Sequence, residues 1–360
     1  MKKVKKSQQG FVIAMLTVTV LTMIFSAILV LFQGAFNEYK NAYYFSRITK
    51  AKFLAQSGLE AALVMLKKLS TEQLYSYGIM YSPPILPLGP GCLEGGLESP
   101  DCGLVSFSIK EETGKLNVNR IVNFIDGQPS LKNREMLDLL SESMGLSSSM
   151  WDAVQDFIDY DDTPEPQGSE KLDYALKKPP RRIKNARLHG VEELLMVDNL
   201  DYNTLYADLR DPVEKENTST DFLTEEEKAS ITDEDYILAN NLTVYLPYDG
   251  ESNDFVNINT APYHVILALS EYMTPDAAKA ILKDRINRGG RFSQKSDLAG
   301  LQELQTRTTG ELNLFQEIEG RISTQDAIYR IDVNSRLQDQ SASIFAIYDV
   351  QNRKLVRYTE

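Results

Sequence analysis

MKKVKKSQQG, residues 1–10, runs directly into FVIAMLTVTVLTMIFSAILVLF, residues 11–32, and no charged residue follows Lys6 until Glu38. About 20 residues of this character cover a hydrocarbon core at roughly 1.5 Å of rise each, so the stretch reads as one transmembrane helix. Lys2, Lys3, Lys5 and Lys6 place its N-terminus on the cytoplasmic side and everything after it outside. A secretory signal peptide carries its small-residue cleavage site after the apolar core. Here the small residue at a boundary, Gly10, comes before the core, so the apolar segment would survive processing. Helical periodicity then continues without a proline through Phe45, Ile48, Ala51, Ala55, Leu59, Ala62 and Leu66 to about Leu69. One long helix is expected to join the membrane to a folded body.

Basic leader, Gly10, then Phe11 heading an apolar helix resembles the class III leader of type IV pilins and type II secretion pseudopilins. That resemblance implies cleavage after Gly10 by a prepilin peptidase and methylation of the new Phe11 amine. An ordinary signal anchor with a fortuitous glycine is the plainer alternative.

The body is apolar enough to build a core, with 42% hydrophobic residues over 360 positions. Its net charge is −13, or about −17 once the leader lysines are removed. A surface this acidic repels phosphate backbones and anionic lipid, so its expected partners are proteins or cations, not nucleic acid. Cys92 and Cys102, the only cysteines, lie in a loop rich in Pro and Gly. In an oxidising compartment a single disulfide, Cys92–Cys102, is the simplest use. A redox pair would more usually be C-x-x-C, and His189 and His264 are poor support for zinc.

Val105 to Ile109 alternates strictly, Glu111 to Lys115 is turn-like, and Leu116 to Asn119 alternates again, which predicts a β-hairpin. Strands recur at Ala327 to Asn334, Ser341 to Val350 and Lys354 to Tyr358. Between them the chain reads as helical: Lys132 to Met144, Ser149 to Ile158, Gly190 to Met196, Thr224 to Ala229, Ala261 to Glu271, Pro275 to Asn287 and Lys295 to Leu301. Ser130, Ser147 and Thr274 are the expected caps, and Pro262 suits a first helical turn. Thr163 to Pro180 and Asp211 to Thr220 read as loops. The expected fold is α+β: a long N-terminal transmembrane helix packed on a small antiparallel sheet, with a large, mainly helical inserted subdomain. The divisions are a leader at 1–10, the helix at 11–69, a cysteine loop and first strands at 70–119, the helical subdomain at 120–319, and C-terminal strands at 320–360.

Five further elements occur in order: TGKLNVN (113–119), DFIDYDD (156–162), Pro179-Pro180 with Asn185-Ala186, VEEL (191–194) and VNINTAP (256–262). Together with the leader they resemble the K-type minor pseudopilins of type II secretion systems. The resemblance covers most of the chain and implies a pilin-like sheet with a helical lobe. It also implies a bacterial inner-membrane protein with a periplasmic body and a structural role at the pseudopilus tip in the export of folded proteins. Other minor pseudopilins, the major pseudopilin and prepilin peptidase would be its partners. Most pseudopilins carry glutamate at the fifth mature position, whereas here that position is Met15. A carboxylate that deep is expensive unless paired, and in the family it is thought to pair with a neighbour's N-terminal amine. A subunit without it lacks that way of docking ahead, which fits the tip.

Asp159, Asp161, Asp162 and Glu170 form the densest acidic cluster. Asp159, Asp161 and Glu170 stand at the first, third and twelfth positions of a calcium loop, and hard oxygen ligands suit Ca²⁺. Pro164 at position six, and no strong helix pattern leaving the loop, separate it from an EF-hand. The resemblance likewise implies calcium in the helical lobe; a merely solvated acidic loop is the alternative.

Val256 to Ala261, Ala277 to Leu282 and Arg291 to Leu298 also resemble a helix-hairpin-helix unit, at 256–301, of the kind found in DNA-uptake receptors. The rival function is therefore a membrane-tethered DNA receptor. Such units approach phosphates through a glycine-rich hairpin. Here the turn reads Tyr272-Met273-Thr274-Pro275 in an acidic surround, although Lys279, Lys283, Arg285, Arg288 and Arg291 are locally basic. A helical packing unit is the preferred reading. No P-loop, G-x-S-x-G or H-E-x-x-H occurs, so nothing points to an enzyme.

Overall fold

The structure is a computed structural model that describes residues 2–76, 84–96, 99, 102–210, 231–246, 255–308 and 312–359. The fold is α+β. A single helix, α1 (Lys2–Lys68), opens the chain. The strands are β1 (Ile85–Leu88), β2 (Gly103–Glu111), β3 (Leu116–Asn117), β4 (Leu242–Thr243), β5 (Val256–Asn257), β6 (Ile322–Ser323), β7 (Ile328–Leu337), β8 (Gln340–Asp349) and β9 (Lys354–Thr359). Five of them form one sheet in the order β1-β2-β7-β8-β9, with β1 antiparallel to β2 and β9 antiparallel to β8.

The chain divides into two compact units. The first comprises residues 1–58, 85–106 and 333–343. Among its described residues, the stretch beginning at Phe11 is exposed and apolar, and α1 is long and apolar enough to cross a membrane. Ala51 and Ala55 are fully buried, and the Ser335 hydroxyl donates to the Ala51 carbonyl at 2.7 Å. Helix and strand meet closely at Gly58, where a Cβ would lie 2.4 Å from Val105 Cγ1 and 2.7 Å from Val333 Cγ1. The small residues at these positions are what lets the two backbones approach. Cys92 and Cys102 stand in bonded geometry with Cα atoms 4.5 Å apart.

The second unit comprises residues 59–84, 107–332 and 344–360. One apolar cluster runs through it from Leu116 to Ile322, with Trp151, Tyr174, Phe157 and Phe292 fully buried. Within it the same arrangement occurs twice. In the first copy, β3 pairs in parallel with β4 and Asn117 Oδ1 accepts from the Asn119 amide. The Asn119 side chain then bonds both the amide and the carbonyl of Leu188 and the carbonyl of Val244. In the second, β5 pairs in parallel with β6 and Asn257 Oδ1 accepts from the Asn259 amide. Asn259 bonds the amide and carbonyl of Phe292 and the carbonyl of Thr324. In each copy the Asn-x-Asn strand is followed by α-helices, three in the first and two in the second, then by 3₁₀ structure (Val191–Met196, or Lys295–Gly300 and Gln302–Gln305), then by a short helix with an Asp201 or Asn313 cap.

Several sequence expectations are corrected. Leu116 to Asn119 is not the second arm of a hairpin: β2 pairs with β1 and β7, while β3 pairs with β4. The chain leaves the sheet because the Glu111 carboxylate is buried and ties down the turn that follows, accepting from Thr113 and from the Gly114 amide at 3.0 Å. The strand that does pair with β2 on that side, β1, lies in what read as a cysteine loop. Gly190 to Met196 and Lys295 to Leu301 are 3₁₀ rather than α-helical. Ala261 to Glu271 shortens to a helix at Tyr263–Leu267, with Pro262 at the cap and not in the first turn. Ser149, not Ser147, precedes the Met150–Ile158 helix, and the loop Thr163 to Pro180 contains a helix at Lys171–Leu176. Thr224 to Ala229 and Asp211 to Thr220 fall outside the described residues. The C-terminal strands and the Pro275–Asn287 helix match their expected bounds within a few residues, and the Thr274 hydroxyl caps that helix.

Candidate functional site

The Met150–Ile158 helix is buried on every side, so its acidic residues can persist only with partners. Asp152 accepts from Arg134 at 2.6 Å and from the Gln167 amide at 3.2 Å. Asp156 accepts from the Glu165 amide through both oxygens, at 3.1 and 3.2 Å. The loop closes tightly over it: a Cβ on Gly168 would fall 1.8 Å from Asp156 Oδ2. These bonds draw residues 163–168 back along the helix and bring its end, Asp159, toward the start of the Lys171–Leu176 helix at Glu170.

Asp159, Asp161 and Glu170 thereby converge, each offering an oxygen within 4.8 Å of the other two. Asp159 and Glu170 are buried and Asp161 is exposed. Asp159 Oδ1 and both Glu170 oxygens have no hydrogen-bond partner among the described residues. Burial pushes the Asp159 carboxyl up to about 7, and Asp161 and Glu170 add to the effect. Glu170 is raised to about 7 by burial and then by Asp156, and Asp156 itself to about 6. Three convergent carboxylates, two of them buried with unpaired oxygens and the third, Asp161, accepting from the Thr163 amide at 2.8 Å, form a hard, anionic donor set, and Ca²⁺ fits that chemistry better than a soft metal.

The fourth expected residue, Asp162, is exposed and outside the converging three, although its charge still bears on Glu170. A helix does leave the loop, Lys171–Leu176, contrary to the sequence reading. Asn185 was not singled out for this site. It holds a left-handed φ of 44°, donates its amide to the Phe157 carbonyl and carries a buried Oδ1 without a partner among the described residues. The Asn185-Ala186 element marked the residue as part of the resemblance but not as part of this site, because its place depends on a contact back to the preceding helix.

At the N-terminus, α1 runs unbroken through Gly10 and Phe11. A Cβ on Gly10 would meet nothing within 4 Å, so packing inside the chain does not require glycine there. Met15 is 62% exposed on the apolar stretch. In the unit resembling a helix-hairpin-helix, three of the basic residues make contacts within the chain, Arg288 from an exposed position. Arg285 donates to the carbonyls of Ile258 and Ala261, Arg288 pairs with Asp284, and Arg291 reaches the Thr324 carbonyl.

Two models of one family, described as "Type II secretion system (T2SS), protein K", match residues 114–213 and 256–314. These segments contain the first and second Asn-x-Asn strands. Type II secretion system protein K of Pectobacterium carotovorum subsp. carotovorum is 27% identical over 259 residues, covering 66% of this chain and 68% of that protein. The crystal structure of the GspK-GspI-GspJ complex from the enterotoxigenic Escherichia coli Type 2 Secretion System shares the fold. Its matching chain has a TM-score of 0.55 and 15% identity, over 90% of this chain and 96% of that one. The two segments matched by the type II secretion system protein K models thus occur in order on one α+β chain, behind an apolar N-terminal helix.

Proposed function

We propose that the chain is a minor pseudopilin at the tip of a type II secretion pseudopilus, a structural subunit rather than an enzyme, which helps initiate assembly for the export of folded proteins. The observation that carries this reading is the continuity of α1, from a basic leader through an exposed apolar stretch to buried Ala51 and Ala55, followed by the family's two helical segments. In this reading prepilin peptidase cuts after Gly10, the Phe11 amine is methylated, and α1 holds the subunit in the inner membrane with its body in the periplasm. Met15, lacking a carboxylate, supports a position with no subunit ahead of it. The E. coli structure that shares the fold is of a GspK-GspI-GspJ complex, and equivalent minor pseudopilins are the proposed partners here, with the major pseudopilin below them.

Asp159, Asp161 and Glu170 would hold calcium, which supplies positive charge where three carboxylates meet and so ties the end of the Met150–Ile158 helix to the loop it precedes. The Cys92–Cys102 bond would close its loop in the oxidising periplasm. Mass spectrometry of the membrane-extracted protein tests the pathway: a methylated N-terminus at Phe11 is expected, and an intact leader in cells with active prepilin peptidase would refute it. Crosslinking tests the position. It should yield contacts to other minor pseudopilins at one copy per assembly, and several copies distributed along a filament would refute the tip assignment.

A further inference from the structure

A cleft of about 980 Å³ opens in the helical unit, away from the acidic site. Its aromatic wall is Tyr236, Tyr263 and His264, and both tyrosine rings meet the imidazole edge-on, with centroids 5.0 and 5.2 Å away. His264 is only 4% exposed. The Ser143 hydroxyl donates to the Leu140 carbonyl at 2.8 Å, so its oxygen accepts from His264 Nδ1–H at 3.2 Å. That tautomer leaves Nε2 as a bare acceptor, and it has no partner among the described residues. Burial holds the imidazole down to about 4, so it is neutral and repels no cation.

Apart from Arg210, the charged side chains on the cleft's lining are acidic. Glu142 and Glu271 are exposed on its lining, and the Leu131–Ser143 helix ends there at Ser143, Met144 and Gly145, bringing the negative end of its dipole to the cleft. Arg210 also lines it, but two carboxylates already claim its guanidinium, Asp208 at 2.5 Å and Asp233 at 2.9 Å. The same guanidinium lies 4.5 Å from the Tyr236 ring centroid, so this wall already holds one planar cation.

We propose that the cleft seats a basic side chain, a guanidinium or ammonium, presented by a partner polypeptide. Aromatic rings, an unpaired imidazole acceptor and two exposed carboxylates favour a group that is cationic, flat or compact, and rich in N–H donors. A neutral or anionic group meets uncompensated negative charge there. The inference is independent of the calcium site and of the tip assignment.

Calorimetric titration of the full-length protein in non-ionic detergent tests it, with acetyl-Gly-Arg-Gly-amide, its citrulline counterpart and agmatine as probes. The arginine peptide should bind saturably at one site, and the citrulline peptide should not. The double variant Glu142→Gln/Glu271→Gln should weaken binding by about tenfold or more. Glu303→Gln/Glu319→Gln, the same loss of charge at exposed sites off the cleft, should leave binding unchanged. Absence of saturation, or equal weakening in both double variants, would overturn the proposal. Agmatine binding as tightly as the peptide would overturn the polypeptide assignment and leave a small-cation site.

Discussion

Asn119 and Asn259 occupy equivalent places in the two copies of one structural arrangement. Each side chain closes three bonds to backbone groups, Asn119 at 2.7–2.8 Å and Asn259 at 2.6–3.2 Å. Both are buried. Each joins a two-residue strand to the entry of a 3₁₀ turn and to the strand that pairs with it, three segments that no continuous helix or sheet would hold together. The two copies share one apolar cluster, so neither has a core of its own.

Asn119→Ala strands the Leu188 amide and two carbonyls in the interior, a loss of about 3 kcal/mol. Asn259→Ala should cost a similar amount. Because the core is common to both copies, urea unfolding of each variant should remain a single transition shifted to lower denaturant. Two separate transitions would show that the copies fold as independent domains, and an unshifted midpoint would show that the asparagines are not structural.

Gly114 meets the other Asn-x-Asn segment more closely than any side chain would allow. A Cβ there would lie 2.4 Å from Thr260 Oγ1, 2.6 Å from the Thr260 carbonyl carbon and 2.7 Å from the Ala261 nitrogen. Two of these are backbone atoms, and Thr260 is also held by a 2.6 Å hydroxyl bond to Glu111. Gly114→Ala should therefore destabilise by about 2–3 kcal/mol. Gly300→Ala, where nothing lies within 4 Å, is the matched control and should change the melting temperature little. Equal effects of the two substitutions would contradict this account of the Thr-Gly-Lys motif.

Legibility in the sequence followed the range of the forces involved. The membrane stretch, the Pro275–Asn287 helix with its Thr274 cap, and the alternating strands β7, β8 and β9 are set by neighbours within a turn or a pleat, and pattern reading finds them. Strands β3 to β6 are two residues each and pair with partners such as Leu242, far from Leu116 in sequence, so periodicity has nothing to measure. The false hairpin arose because alternation continues past Glu111. What turns the chain is that residue's burial and its bonds to Thr260 and the Ala327 amide, both distant in sequence. Spacing alone brought Asp159, Asp161 and Glu170 together on paper. It could not separate Asp162 from Asp161, because which of two adjacent aspartates faces the other carboxylates depends on how residues 163–168 fold back onto Asp156.

The acidic site carries a pH dependence with a definite sign. Asp159 and Glu170 are raised to about 7 and Asp156 to about 6, against ordinary carboxyl values near 4. Between those limits the metal-free folded chain holds protons that the unfolded chain has released. Its stability is therefore greatest below the unfolded values and falls as pH rises from about 4 through about 7. Calcium requires the deprotonated carboxylates, so its stabilisation should be larger at pH 8 than at pH 5. Melting curves in chelator and in excess calcium at both pH values measure this. The variant Asp159→Asn/Glu170→Gln should melt higher than wild type in chelator at pH 8 and should not respond to calcium. A wild-type melt indifferent to calcium at pH 8 would remove the metal from the proposal.

Met15 offers the sharpest test of position. Met15→Glu places a carboxylate in the apolar stretch of α1, where an unpaired charge costs about 2.5–3.5 kcal/mol of insertion energy. A subunit with a neighbour ahead of it could pair that carboxylate with the neighbour's N-terminal amine and recover much of the cost. A subunit at the tip has no such partner. Met15→Glu should then lower the membrane-inserted level of the protein and its ability to restore secretion in a null strain, while Met15→Leu, equally apolar, should behave as wild type. If Met15→Glu is inserted and restores secretion as well as Met15→Leu, the carboxylate has found a partner, and a place within the filament rather than at its end follows from the same energetics.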